Sequence, residues 1–192
     1  MIRPDRDKIK GVVEVDETYI GAPKKGKRGR GAIGKAIVAG ALEVLSTNEK
    51  KQRVGRLRLS IIPDVSGNSL KQFLKENIET KSTIITDDWN GYIGVVKKNY
   101  KRKIVSQNIL EHIHITFGNL KTWIEGTYHG VGKKHLQAYL NEFVFRHNRR
   151  IKPMASFQRL LGLSSTQAGP TYDKIYNSGS LIGWTHPGET FP

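Results

Sequence analysis

The apolar patterning of the chain predicts an α/β fold, a mixed five-stranded sheet with helices on both faces. Three observations carry this. Three strand-like runs fill the first third of the sequence, and their connections suit an antiparallel meander. A helix-spaced run then separates the third strand from a fourth, and a shorter one separates the fourth from a fifth, the strand–helix–strand order of parallel sheet. The rest of the apolar content recurs at helical spacing.

The elements follow in order. Residues 11 to 20, Gly-Val-Val-Glu-Val-Asp-Glu-Thr-Tyr-Ile, are rich in β-branched and aromatic side chains and predict a strand. Alternation puts Val12, Glu14 and Asp16 on one face and Val13 and Val15 on the other. Gly21 to Gly31 carries four glycines, a proline and no large apolar residue, so it predicts a mobile loop. Residues 36 to 45 predict a second, mostly buried strand, and Ser46-Thr47-Asn48 a turn. Residues 53 to 62 alternate, with Leu57, Leu59 and Ile61 on one side and Arg56, Arg58 and Ser60 on the other, a half-exposed strand antiparallel to its predecessor. Ser66 opens a helix whose Leu70, Phe73, Leu74 and Ile78 share a stripe. Ser82 to Thr86 is a short buried strand ending at Asp87-Asp88. Trp89 to Val96 suits a short helix and Arg102 to Val105 a weak fifth strand. Leu110 to Glu125 predicts a helix stopped near Gly126. Lys133 to Arg149 predicts another, striped by Leu136, Leu140, Phe143 and His147, and Pro153 to Leu161 a last short one. From Gly162 on, Ser, Thr, Gly and Pro predict an extended, loosely packed tail. The domain plan is therefore a lead over 1–10, one domain over 11–163 and a tail over 164–192, with no internal repeat.

Composition bounds the function. The chain has 192 residues, 37% of them apolar, which suits about one domain with a real core. No run approaches the roughly 20 apolar residues of a membrane span, and Met1 to Arg6 has no apolar signal core, so a cytoplasmic, nucleoid-associated protein is expected. The absence of cysteine excludes disulfides, thiolate zinc sites and cysteine nucleophiles. The formal net charge is +15, which points to a polyanionic partner, usually nucleic acid. The charge is clustered. One group is Lys24, Lys25, Lys27, Arg28 and Arg30, and a second is Lys50, Lys51, Arg53, Arg56 and Arg58. A third is Lys97, Lys98, Lys101, Arg102 and Lys103, and a fourth Arg146, Arg149, Arg150 and Lys152. Separated clusters suit a broad phosphate-contacting surface better than one small-anion pocket, although each alone is equally an ordinary solvated face.

Two acids stand out. Asp16 lies inside an apolar strand and Asp87 at the end of another. Buried carboxylates are costly unless paired or metal-bound. If the two strands are neighbours, both side chains can share one hard divalent cation, as phosphoryl transfer on nucleic acid requires. The alternative is that Asp16 pairs with a surface lysine and Asp87 caps the helix after it. On the helix from Leu110, His114 and Lys121 lie two turns apart on one face, which Glu111 shares.

These motifs together resemble a known family. Val13-Glu-Val-Asp-Glu-Thr-Tyr-Ile-Gly21 with the Gly/Lys/Arg loop ending in Gly29-Arg30-Gly31 is similar to the start of the catalytic domain of DDE-type bacterial insertion-sequence transposases related to the Merlin elements. Thr86-Asp-Asp-Trp-Asn-Gly-Tyr92 resembles their second-aspartate motif. Asn119 to Gly130, Lys134-His-Leu136 and Tyr139 to Arg150 resemble their C-terminal helices. The likeness runs from about residue 10 to about residue 163. It implies an RNase-H-like fold, and metal-dependent cleavage and strand transfer of double-stranded DNA at insertion-sequence ends. Mg²⁺ or Mn²⁺ would be the metal, with copies assembling on paired ends as a homo-oligomer, although no heptad pattern is visible. Carried over by position, Asp16 is the first catalytic aspartate. Asp87, two residues before the Trp, is the second, ahead of Asp88. Most such enzymes have Glu at the third position. Here His114 stands seven before Lys121, which gives an Asp-Asp-His-Lys pattern with Asp16, Asp87 and His114 toward metal and Lys121 toward phosphate. A neutral imidazole in that place implies a weaker second metal site, a preference for Mn²⁺, or a role through a bound water. Lys24, Lys25, Lys27, Arg28, Arg30, Arg146, Arg149 and Arg150 are the expected DNA contacts. The family usually carries a zinc-binding, helical recognition region ahead of this domain. The chain begins near the first strand, so the catalytic domain alone is expected, either active or as a remnant that only binds nucleic acid. A junction-resolvase-like nuclease fits the basic glycine loop and the Tyr139–Arg150 segment less well.

Overall fold

In the computed structural model, which describes residues 6–21, 35–46, 52–96, 99–106 and 110–166, the strands form one five-stranded sheet in the order β3-β2-β1-β4-β5. β1 (Val12–Ile20) pairs antiparallel with β2 (Ala36–Ser46), and β2 antiparallel with β3 (Gln52–Ile62). β4 (Thr83–Thr86) runs parallel to β1 on its other side, and β5 (Lys101–Ile104) runs parallel to β4. This is the predicted meander extended by parallel strands. The predicted basic loop and nearly all of the predicted tail lie outside the described residues. Among the described residues no helix is long and apolar enough to cross a membrane.

Alternation along the strands divides the core into two layers. Val13, Val15, Ala39, Ala41 and Ile84 face α1 (Gly67–Asn77), whose Leu70, Phe73 and Leu74 supply its buried stripe. Ser66 caps α1, its side chain accepting from the Ser69 N–H. The turn Asn90–Tyr92 runs into α2 (Ile93–Val96) and buries Tyr92 in the same layer. Ile9 also joins this layer, bridging to Ile78, so the stretch ahead of β1 contributes one residue to the core. On the other face, Val38, Leu42, Leu57 and Leu59 pack against α3 (Glu111–Tyr128) and α4 (Lys133–Asn148).

The structure departs from the sequence expectations in three places. α3 does not stop near Gly126. It continues to Tyr128 and closes at His129 in the left-handed conformation (φ 54°), followed by Gly130 (φ 112°). The glycine that ends this helix is therefore the later one, just past the cap. α5 (Pro153–Thr166) passes through Gly162, where the extended tail was expected to begin. β3 is not half-exposed on its arginine side. Arg58 is only 6% exposed, and its guanidinium donates to the carbonyls of Asp7 (2.9 Å) and Leu57 (3.0 Å). Burial, then the charges of Arg6 and Arg56, pull its pKa down to about 10.

β3 is an edge strand, and α4 closes that edge. Gln137 accepts from the Ile61 N–H (2.9 Å) and donates to the Leu59 carbonyl (3.3 Å). Asn148 accepts from the Leu57 N–H (2.7 Å) and donates to its carbonyl (3.1 Å). Two side-chain amides thus stand in for a sixth strand along the unpaired row. Close by, the His147 ring is pushed by burial, then by the charge of Arg150, to a pKa of about 4.

Asn148→Ala is expected to destabilise the fold by about 1–3 kcal/mol, because the Leu57 N–H loses its partner and the Leu57 carbonyl keeps only the Arg58 guanidinium. A urea midpoint equal to wild type would show that water replaces the amide without cost. His147 sets a pH dependence. Above about pH 6.5 the ring is neutral folded and unfolded. As pH falls toward about 4, only the unfolded chain takes up the proton, so stability drops by up to about 3 kcal/mol and then levels off. Melts of His147→Gln over the same range should lack that part of the slope.

Candidate functional site

The site grows from the alternation of β1. Glu14, Asp16 and Thr18 point to the α3 face, and Gly40 lies level with Asp16 on β2. A Cβ built on Gly40 would stand 2.7 Å from Cζ of Phe117 and 3.1 Å from Cδ1 of Ile113. Hydrogen therefore lets α3 lie close over the sheet at the Asp16 row.

A second device sets where α3 begins. Its own N-cap, Leu110, offers no side-chain acceptor. The acceptor comes from the sheet: Glu14, 4% exposed, takes the Ile113 N–H on Oε2 (2.8 Å) and meets Nδ1 of His112 with Oε1 (3.0 Å). A carboxylate at a helix N-terminus meets both the free amides and the positive end of the dipole. His114 follows one residue after the capped amide, and its Nε2 lies 2.8 Å from Oδ2 of Asp16.

Asp87 enters from the neighbouring strand. The β1–β4 register pairs Val12 with Thr83 and Glu14 with Ile85. Asp16 lies two residues past Glu14 and Asp87 two past Ile85, just beyond the end of β4, and the charge of Asp87 reaches Asp16. Asp87 is buried and Asp88 exposed. Oδ1 of Asp87 accepts the Trp89 N–H (3.1 Å), so the expected capping contact exists as well. Burial, which dominates, and the charge of Asp87 raise the Asp16 pKa, against the Glu17 amide and His114. Lys121 is within electrostatic reach of Asp16: burial and then Lys35 lower its pKa, and Asp16 opposes them. Asp87, His114 and Lys121 therefore gather around Asp16.

The donor set matters for metal. Among the described residues no three Asp, Glu or His side chains form a ready-made cage, and Nε2 of His114 is taken up by Asp16. That disfavours a zinc-type site, which needs three or four protein ligands. Asp16 and Asp87 offer hard carboxylate oxygens, the donor type that Mg²⁺ or Mn²⁺ takes when water fills most of the shell. Asp16 meets the test of chemistry too. A desolvated carboxylate beside a second one, with its pKa raised, gains from a cation.

The basic clusters divide. Lys24, Lys25, Lys27, Arg28 and Arg30 lie outside the described residues, as do Lys50, Lys51, Lys97 and Lys98. Of the second cluster, Arg56 is bound to both oxygens of Glu43 (3.1 and 3.2 Å) and Arg58 is buried, so these two do not form an open phosphate-binding strand face. In the fourth, Arg146 pairs with Glu142 (2.8 Å) yet stays 66% exposed. Arg149 lies over the Phe145 ring (4.0 Å), and Arg150 donates to the carbonyls of His147 and Val54. Val54 shares the row of Val44 and Val12, roughly 13 Å along the strands from the Asp16 row at ~3.3 Å per residue. Arg150 therefore stands away from the acidic centre. Glu14 was not singled out in the sequence; its one signal was a carboxylate on the same strand face as Asp16.

A family model described as the ISXO2-like transposase domain matches residues 8–148. No curated protein matches the chain.

Glu14→Ala removes the acceptor at the start of α3. A loss of about 2 kcal/mol is expected, with faster hydrogen exchange at the Ile113 amide. Unchanged stability and exchange would mean that packing over Gly40 alone seats the helix.

Proposed function

The chain belongs to the ISXO2-like transposase domain family of insertion-sequence transposases, and from that premise we propose that it is an RNase-H-like catalytic domain that cuts and joins DNA at insertion-sequence ends. The observation that carries the reading is Asp16 on β1 within electrostatic reach of Asp87, which directly follows the adjacent parallel strand β4, with His114 on Asp16 and Lys121 on the same helix face.

In this reading the DNA approaches the α3 face. Asp16 and Asp87 would hold Mg²⁺ or Mn²⁺, with His114 acting on the set through Asp16, whose Oδ2 its Nε2 meets. When bound, the cation lowers the pKa of an attacking water or hydroxyl and offsets charge on the scissile phosphate. With Nε2 protonated, His114 donates to Oδ2 of Asp16 and holds that carboxylate in place. The ammonium group of Lys121 neutralises the phosphoryl oxygens as charge builds. In the first step water adds to phosphorus and the bond to the 3′ oxygen breaks, leaving a 3′-hydroxyl and a 5′-phosphate. In the second, that hydroxyl attacks a target phosphodiester and displaces its 3′ oxygen, so one P–O bond replaces another without a nucleotide cofactor. The cation, double-stranded DNA as partner, assembly of copies on paired ends, and the DNA contacts by Lys24, Lys25, Lys27, Arg28, Arg30, Arg146, Arg149 and Arg150 all belong to this proposal.

Asp16→Asn and Asp87→Asn should each lower Mn²⁺-dependent nicking of supercoiled DNA by at least about 100-fold while leaving DNA affinity within about twofold. Nicking at wild-type rate would reject the metal assignment. A wild-type protein that binds DNA with a steep salt dependence but never nicks it would favour the nucleic-acid-binding remnant.

A further inference from the structure

Arg102 belongs by sequence to the third basic cluster, but its Nε and Nη2 are turned to groups of the chain itself. It sits on β5 level with Ile84, on the sheet face toward α1 and away from His114. Its Nε donates to Oγ1 of the fully buried Thr86 (3.0 Å). Its Nη2 donates to the carbonyls of Asp87 (2.9 Å) and Trp89 (3.2 Å). The guanidinium carbon lies 5.6 Å from the centre of the buried Tyr92 ring.

Position gives this contact its meaning. β4 ends at Thr86, so Asp87 is the first residue that the strand ladder no longer holds. The turn that follows must nevertheless keep the Asp87 carboxylate within reach of Asp16. The Trp89 N–H grips the carboxylate from one side of the turn. Arg102 grips the Asp87 and Trp89 carbonyls from the other, and the Thr86 hydroxyl, itself donating to the Asp87 carbonyl (2.8 Å), joins the two. A planar fork of donors can span several carbonyls at once, which a lysine ammonium cannot do with the same geometry. We propose that Arg102 is a positioning residue for Asp87, acting through the backbone of the Asp87–Trp89 turn. The proposal rests on the metal-dependent reading of the site for its functional consequence, though its geometry does not.

The test uses the full chain with Arg102→Lys and Arg102→Gln, and Lys103→Gln as a charge-matched neighbour on the exposed side of the same strand. Three quantities are read: hydrogen exchange of the Trp89 amide without metal, Mn²⁺ affinity from the resonance of the free ion, and the kcat and KM of nicking. Both Arg102 variants should speed Trp89 exchange, weaken Mn²⁺ binding about 10- to 100-fold, and lower kcat with little change in KM for DNA. Arg102→Lys keeps the charge and guards against a variant that merely fails to fold. Lys103→Gln should leave exchange and Mn²⁺ affinity at wild-type values. If wild type and both Arg102 variants bind Mn²⁺ equally, with Trp89 exchange unchanged and only KM and salt dependence altered, Arg102 is a phosphate contact and the proposal is overturned while the metal reading survives. If wild type takes up no Mn²⁺ but Trp89 exchange still speeds in the variants, the metal reading fails and the hold of Arg102 on Asp87 stands.

Discussion

The Glu14 carboxylate at the start of α3 is the contact on which the rest of the site depends. It joins residues 99 apart in the chain. A buried carboxylate needs partners, and a helix N-terminus without a cap of its own needs an acceptor. Each supplies what the other lacks. Once Ile113 is held there, the helix repeat places His114 over Asp16 two residues along β1, and Lys121 two turns further on. Gly40 adds the height, because only a residue without a side chain lets Phe117 lie so close to the sheet. The register of β1 with β4 then adds Asp87. The acidic centre is thus a product of one cap, one small residue and one strand register.

The same logic divides the positive charge. The net +15 suggests a polyanion, but a count of charges does not say what each one faces. Arg56 is bound by Glu43, Arg58 holds the chain ahead of β1, Arg102 the turn after β4, and Arg150 the end of α4. These four do structural work inside a chain whose formal net charge is +15. The structural use of arginine reflects its chemistry, a delocalised charge with several directed donors that can meet backbone carbonyls where carboxylates are absent.

The sheet was legible because β-branched runs and period-two alternation are local signals, and every predicted strand lies within a few residues of its observed bounds. The stripe Leu70, Phe73, Leu74 marked α1 for the same reason. Asp16 and Asp87 were legible as polar residues out of place in apolar strands, and their closeness follows from the strand order. His114 and Lys121 were legible as a shared helix face, but their meeting with Asp16 rested on resemblance, since no local pattern names a partner 98 residues away. Glu14 escaped because a carboxylate on the face of Asp16 looks like one more acid until the helix that it caps is in place. The end of α3 was misjudged because two glycines, Gly126 and Gly130, competed for the stop, and the choice between them depends on where the chain turns left-handed.

The closing of β3 by Gln137 and Asn148 bears on the fate of shortened chains. A strand edge with Leu57, Leu59 and Ile61 beside it is adhesive when its amides and carbonyls are open, because another chain can add a strand there. The helix that covers this edge comes about 75 to 90 residues later in the sequence, as the two contacts show. Synthesis that halts before α4 would leave a sheet with its sticky margin bare, and such a fragment would pair with its own kind and precipitate. Among the described residues, the cover of this edge rests on α4 and on two of its amides.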